Sequence, residues 1–201
     1  MAPSTEKKPI NFDQWAPTYD RSRNQRFYGS IHRTVLTFVA NHIQPNTLLD
    51  LGCGTGRLLY AAKQRWPDAT LTGIDPSAKM VEVARSSLPD ATFFVGQAET
   101  LPLPDSSVEV VVSTVSFHHW RNHLAGLREV ARVLRPGGFV FLADVSPLTW
   151  LSLWLLRHPR SQTPAEMRIL LRDAGLQLLF QRFAVAGSVL VTAGKLPEEK
   201  K

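Results

Sequence analysis

The chain has a single cysteine, Cys53, in 201 residues. No internal disulfide can form, which fits a reducing compartment such as the cytoplasm. Long apolar runs are missing too. The longest, "TWLSLWLL" at 149–156, is far below the roughly 20 residues that a spanning helix needs. The opening stretch "MAPSTEKKPINFDQW" carries basic residues but no apolar centre like that of a secretory signal. No internal repeat and no low-complexity linker interrupts the chain. These absences argue against a disulfide scaffold and a spanning protein, and leave a cytoplasmic enzyme or binding domain as the expectation.

What is present is globular: 44% hydrophobic and 20% charged residues, at a length suited to one well-cored domain spanning 1–201. The net charge is +6. Part of the excess sits near the ends, on Lys7, Lys8, Lys195, Lys200 and Lys201. Arg128, Arg132 and Arg135 are spaced to share one face of a helix, the pattern of a solvated surface. In "YDRSRNQRFY", Arg21, Arg23 and Arg26 alternate with Tyr19, Phe27 and Tyr28. Such interleaving can hold a nucleic-acid strand. Arginine-rich surfaces are equally common in basic proteins that touch no nucleic acid, and that reading is preferred.

Periodicity places the elements. Apolar positions at helical spacing (Phe27, Ile31, Val35, Phe38, Val39) predict a helix over 24–42, ended by Pro45 and Asn46. Strands follow at 47–51, 69–75, 91–97, 108–116 and 139–146, with helices between them; "HLAGLREVARVLRPGG" reads as a helix closed by its Pro-Gly-Gly turn. Residues 147–174 are less regular, with a Trp-rich turn and a helix near "PAEMRILLRDAG". "LQLLFQRFAV" and "SVLVTAG" close the chain as an antiparallel pair across a short turn. Strands alternating with helices mean a parallel sheet covered on both faces. The expected fold is α/β, a doubly wound, mostly parallel seven-stranded Rossmann-like sheet with an antiparallel edge hairpin. Residues 1–42 would be an N-terminal arm and helix, 47–146 the core, 147–174 an acceptor-side segment and 175–194 the closing strands.

In this architecture ligands bind beyond the carboxyl ends of the strands, next to the first one. There "LLDLGCGTGRLL" places Gly52, Gly54 and Gly56 behind an apolar strand carrying Asp50. Residues without Cβ atoms allow a sharp turn and a ligand lying on the peptide groups, and the next helix offers unpaired N–H groups. Asp75 ends the second strand, where an acid can accept both hydroxyls of a ribose. A dinucleotide site would want G-x-G-x-x-G, but Arg57 or Leu59 stands where its last glycine belongs.

"LDLGCGTG" with Asp75 resembles the class I S-adenosylmethionine-dependent methyltransferases, of the small-molecule and quinone-pathway type. "GIDPSAKMVEVAR", "VGQAETLPLPDSSVEVVVSTVSFHHW" and "LREVARVLRPGGFVFLADVS" resemble later segments of the same family, in order, over about 48–146. "FDQWAPTYD" (12–20) is similar to its short N-terminal arm. The resemblance implies S-adenosyl-L-methionine as cofactor. Asp50 would organise the glycine loop and the amino group of the methionine part, with Gly52, Gly54 and Gly56 lining that part and the ribose. Asp75 would hold the ribose hydroxyls; Pro76 and Met80 would wall the adenine, and Ala98 and Glu99 would lie at its edge. Gln97 stands where the family commonly has an acid, and its carbonyl can still accept from the adenine amino group. Ser113 and Thr114 would face the donor methyl. The structural alternative for Asp50 and Asp75 is that of strand-end acids capping the next helix.

Methyl transfer from a sulfonium needs alignment more than acid–base machinery. A phenol or enol acceptor must still lose its proton. "SFHHW" offers His119, and behind it His118, as a base, unless the pair only shapes the loop. Tyr19, on the arm, is the other catalytic candidate. No metal site is expected. The acceptor pocket would lie between the arm and 147–174, where Trp150, Leu153, Trp154 and Leu155 are suited to lining a pocket or touching a membrane surface. Arg21, Arg23, Arg157 and Arg160 lie near in sequence. The favoured partner is a small, largely apolar acceptor, phenolic, quinone-like or anionic. RNA methylation and a non-catalytic cofactor-binding module are the alternatives; the amino-adenine type is excluded because "STVSFHH" replaces its Asn/Asp-Pro-Pro-aromatic box.

Overall fold

A computed structural model describes residues 11–146 and 161–198. Two helices, α1 (Phe12–Tyr19) and α2 (Gln25–Ala40), precede a regular alternation: β1 (Thr47–Leu51), α3 (Arg57–Arg65), β2 (Thr70–Asp75), α4 (Ala78–Ser87), β3 (Thr92–Val95) and β4 (Val108–Thr114). Then come α5 (His123–Val133), β5 (Leu134–Val145), α6 (Pro164–Asp173), β6 (Gln177–Ala184) and β7 (Val189–Lys195). The seven strands lie in the order β3-β2-β1-β4-β5-β7-β6. β1 to β5 are parallel, and β7 runs antiparallel between β5 and β6. The predicted doubly wound sheet with its antiparallel edge is the observed one.

β1 shows why the strands read as apolar runs. Leu48, Leu49 and Leu51 are all buried, because helices cover both faces. Leu48, Val110 and Val112 join one core with Ile31, Val35 and Val39 of α2 and Leu58 and Leu59 of α3. Leu49, Leu51 and Val111 join the other, with Leu127 and Val130 of α5 and Met167 and Leu171 of α6. The sheet is thereby clamped so that its carboxyl edge stays open for a ligand.

The structure moves several boundaries. α5 stops at Val133, and β5 starts at Leu134 rather than 139. Leu134 pairs with Val108 before the register shifts, so the strand takes in Pro136, Gly137 and Gly138. A Cβ on Gly138 would lie 2.8 Å from the Arg135 carbonyl and 3.0 Å from that of Glu109, which the crowded bulge cannot hold. Arg135 is therefore not on the helix with Arg128 and Arg132; it pairs with Glu109 at 3.2 Å, while Arg132 pairs with Glu129 and Asp105.

β4 ends at Thr114 rather than 116. Val115, a β-branched residue, has φ +51°, a strained conformation that turns the chain off the sheet into the short helical turn Phe117–His119. The closing hairpin turns through Val185, Ala186 and Gly187, all at positive φ. Of the predicted acceptor-side segment, α6 is observed, capped by the reciprocal Thr163–Glu166 box. Trp150, Leu153, Trp154, Leu155, Arg157 and Arg160 lie outside the described residues. Among the described residues no helix is long and apolar enough to cross a membrane.

Candidate cofactor and methyl-transfer site

The glycine loop leaves β1 through three positive-φ residues, Gly52 (+75°), Gly54 (+53°) and Gly56 (+81°). Gly52 and Cys53 both donate their N–H to the Ile74 carbonyl, at 2.8 and 3.1 Å, which pulls the loop over the end of β2. A side chain at Gly52 would run into Ser116, just beyond β4. At Gly54 a Cβ would meet nothing within 4 Å, because that side opens onto a cleft.

The cleft runs across the carboxyl ends of β1, β2 and β4 as three adjoining hollows of about 40, 90 and 440 Å³, all touching Gly52. The deepest, smallest one is lined by Asp50, Gly54 and Thr114 together with Tyr19, Gln25 and His32 of the N-terminal helices. The middle one meets Asp75, Pro76 and Met80. The widest meets Gln97, Ala98, Glu99 and Trp120, and His119 faces both of these. Twelve residues inferred from the sequence thus share one groove: Tyr19, Asp50, Gly52, Gly54, Asp75, Pro76, Met80, Gln97, Ala98, Glu99, Thr114 and His119.

Three expected residues stand elsewhere. Gly56 caps α3 and packs toward Ala84 and Phe93, shaping the loop from behind. Ser113 is fully buried and donates its hydroxyl to the Leu51 carbonyl at 2.8 Å, so it ties β4 to β1 rather than facing the cleft. His118 is buried, with Nδ1 2.7 Å from Asp144 Oδ1 and its backbone N–H donated to Asp144 Oδ2 at 2.8 Å. This bond pair anchors the turn that presents His119, whose ring lies 4.1 Å from that of His118 and edge-on to Phe12 at 5.3 Å.

The two acids differ. Asp75 accepts from Gly54 N–H at 2.9 Å and Ser77 N–H at 2.8 Å, bracing the loops on either side, while the cap of α4 is Ser77 and not the acid of the structural alternative. Each of its oxygens keeps a lone pair for a further donor. Burial pushes its carboxyl up, against those two N–H groups. Asp50 is 1% exposed, and its Oδ1 has no partner among the described residues. Burial, and then the charge of Asp75, push it up to about 8. A buried acid with an orphaned oxygen calls for a cationic or donor group. The amino-acid end of an adenosyl sulfonium supplies one.

The sequence did not single out the arm's fastenings. Asp13 Oδ1 accepts from Ser77 Oγ at 2.6 Å and Lys79 N–H at 3.2 Å; Asp20 Oδ1 accepts from Thr55 Oγ1 at 2.9 Å. α1 is thereby laid along the cleft, with Phe12 and Tyr19 forming its wall. Tyr19 packs edge-on to Trp15 and stacks on Tyr28, and burial pushes its phenol up. Tyr19 and Tyr28 face inward while Arg21, Arg23 and Arg26 are exposed, so the interleaved stretch is no stacking platform for a strand. Among the described residues no group of three or more His, Cys, Asp or Glu is placed to hold a metal ion.

A doubly wound sheet whose glycine loop and strand-end acid border one open cleft has the architecture of a nucleotide-cofactor domain. The comparisons with known proteins make this particular. The methyltransferase domain family matches residues 49–142. A demethylmenaquinone methyltransferase of Thermotoga maritima is 31% identical over 150 residues, covering 73% of this chain and 66% of the relative. A malonyl-[acyl-carrier protein] O-methyltransferase of Dechloromonas aromatica is 34% identical over 188 residues, covering 87% and 67%. The chain thus spans about two thirds of the length of both. An S-adenosylmethionine-dependent methyltransferase structure from Aquifex aeolicus shares the fold at a TM-score of 0.77 with 19% identity, covering 94% of this chain and all of that one. The chain belongs to the class I S-adenosylmethionine-dependent methyltransferases, and S-adenosylmethionine is its cofactor.

Proposed function

We propose that this methyltransferase moves a methyl group to a small, largely apolar acceptor of phenolic, quinone-like or anionic character, in the cytoplasm. The observation that carries the reading is His119, which faces the cleft beside Gly52, Ser116 and Phe12 while His118 and Asp144 hold its turn from behind. S-adenosylmethionine supplies an electrophilic methyl group. Asp75 holds the ribose hydroxyls; Pro76 and Met80 wall the adenine; Gln97, Ala98 and Glu99 meet its edge. Asp50 and the glycine loop take the amino-acid end. Phe12 and Tyr19 exclude water from above. His119 takes the acceptor's hydroxyl proton at a ring nitrogen. Most of the acceleration comes from holding the reactants in line, worth about 7–11 kcal/mol.

The relative named for demethylmenaquinone supports a quinone-like acceptor, and the one named for a malonyl group on a carrier protein supports an anionic one. A transfer screen across phenols, quinols, carboxylates, amines and RNA tests it. Methylation of a phenol or quinol is expected. Methylation of RNA alone, abolished by moderate salt as phosphate contacts would be, replaces this reading.

A further inference from the structure

The deepest hollow of the cleft contains a side chain that neither the glycine loop nor the strand ends supply. Gln25, the first residue of α2, is 8% exposed and lines this hollow with Asp50, Gly54 and Arg57. Its Nε2 donates to the Tyr19 carbonyl at 2.8 Å and to Ser22 Oγ at 3.3 Å. A carbonyl accepts only from the amide nitrogen, so those bonds fix which way the amide faces. Its Oε1 is left buried and without a partner among the described residues. Only one other side-chain oxygen of this hollow is in the same condition, Asp50 Oδ1.

A buried acceptor left unmade is costly, and two beside the same small hollow mark a place for a group that donates more than once. A primary ammonium has three donors and one positive charge. It can donate to both oxygens, and its charge offsets the one that Asp50, held up by burial and by Asp75, takes on when it ionises. Arg57 and His32 line the same hollow, the one a cation and the other held neutral, its imidazole pushed down to about 4 by burial and by Arg57. Two unmet acceptors and a guanidinium in one hollow are what an α-ammonium and its α-carboxylate require together.

We infer that Gln25 Oε1 and Asp50 Oδ1 jointly bind the α-ammonium of the cofactor's amino-acid end. Gln25 is thus a cofactor-binding residue contributed from outside the sheet-edge motifs, and it rests on S-adenosylmethionine occupying this cleft. Because the same amide is fastened to the Tyr19 carbonyl, the helix pair α1–α2 carries part of the cofactor site in its own backbone.

The test compares two ligands by calorimetry: S-adenosylhomocysteine, which has the amino-acid end, and 5′-methylthioadenosine, which lacks it. Gln25→Met is expected to weaken S-adenosylhomocysteine about tenfold or more, the loss of one charge-assisted bond, and to leave methylthioadenosine within about twofold. Equal affinity of native and variant for S-adenosylhomocysteine overturns the inference, as does an equal loss for both ligands. If Gln25→Met does not fold, the native protein answers by NMR: the Gln25 side-chain amide resonances move on adding S-adenosylhomocysteine and stay with methylthioadenosine, and no movement with the former overturns it. Failure of the native protein to bind either ligand would instead strike the cofactor assignment itself.

Discussion

Ser77 donates its hydroxyl to Asp13 Oδ1 at 2.6 Å and accepts the Met80 N–H at 3.1 Å with the same oxygen. One hydroxyl therefore caps α4 and fastens α1 across the cleft. Hydrogen bonds from Ser77 and the Lys79 N–H hold the Asp13 carboxyl below its ordinary value. Asp13→Ala removes the fastening and leaves the α4 cap intact. The expected result is faster release of S-adenosylhomocysteine in stopped-flow displacement, with an unchanged far-UV spectrum.

Asp75, proposed to hold the ribose, also accepts two backbone bonds from the loops on either side. Asp75→Ala should weaken S-adenosylhomocysteine by about 1.5–3 kcal/mol for each ribose bond lost. It should also lower the melting temperature, because the N–H groups of Gly54 and Ser77 lose their acceptor. An Asp75→Ala protein that melts lower yet keeps native affinity, measured by calorimetry, would remove the ribose role and keep the structural one.

Asp50 sets a pH dependence whose sign follows from its raised carboxyl. Between its ordinary 3.8 and about 8, the folded protein holds a proton that the unfolded chain has lost. Stability of the ligand-free protein should therefore fall as pH rises through that window. Binding a cationic amino-acid end favours the ionised acid, so at pH 7 association should release a proton and tighten as pH is raised. Calorimetry in two buffers of different ionisation enthalpy reads that proton directly. Asp50→Asn should abolish the release.

His119 and His118 should separate cleanly. His119→Ala is expected to lower kcat by about a hundredfold or more while leaving cofactor affinity within about twofold, with partial rescue at alkaline pH. Asp144→Asn acts on the anchored turn: Asp144 accepts from the His118 N–H, the His118 ring and the Val145 N–H. Losing part of that set should cost about 1–3 kcal/mol of stability, seen as a lower melting temperature.

Local signals were strong where backbone conformation restricts the residue. Gly52 and Gly54 could be read from the chain because positive φ and close approach leave few alternatives to glycine, and Asp75 because it ends a short apolar strand. The boundaries that were misplaced have tertiary causes. β5 begins at Leu134 because Val108 offers it a partner across the sheet, and β4 ends at Thr114 because Val115 is forced to positive φ. The Pro-Gly-Gly sequence reads as a helix stop in isolation and becomes a strand bulge only beside Glu109.

The sequence by itself determined the alternation of strands and helices, the placement of the glycine loop and the type of cofactor, because each rests on short-range patterns of polarity and backbone freedom. The tertiary structure decided which side chains reach the cleft. Ser113 and His118 lie within a few residues of Thr114 and His119, yet side-chain direction turns Ser113 toward Leu51 and His118 toward Asp144. Asp13 and Asp20 belong to the N-terminal arm and join the site through bonds to Ser77 and Thr55, far away in the chain, while Gln25 is held beside it by a local bond to the Tyr19 carbonyl. Periodicity tells which face of an element is buried; what that face meets depends on contacts far apart in the chain.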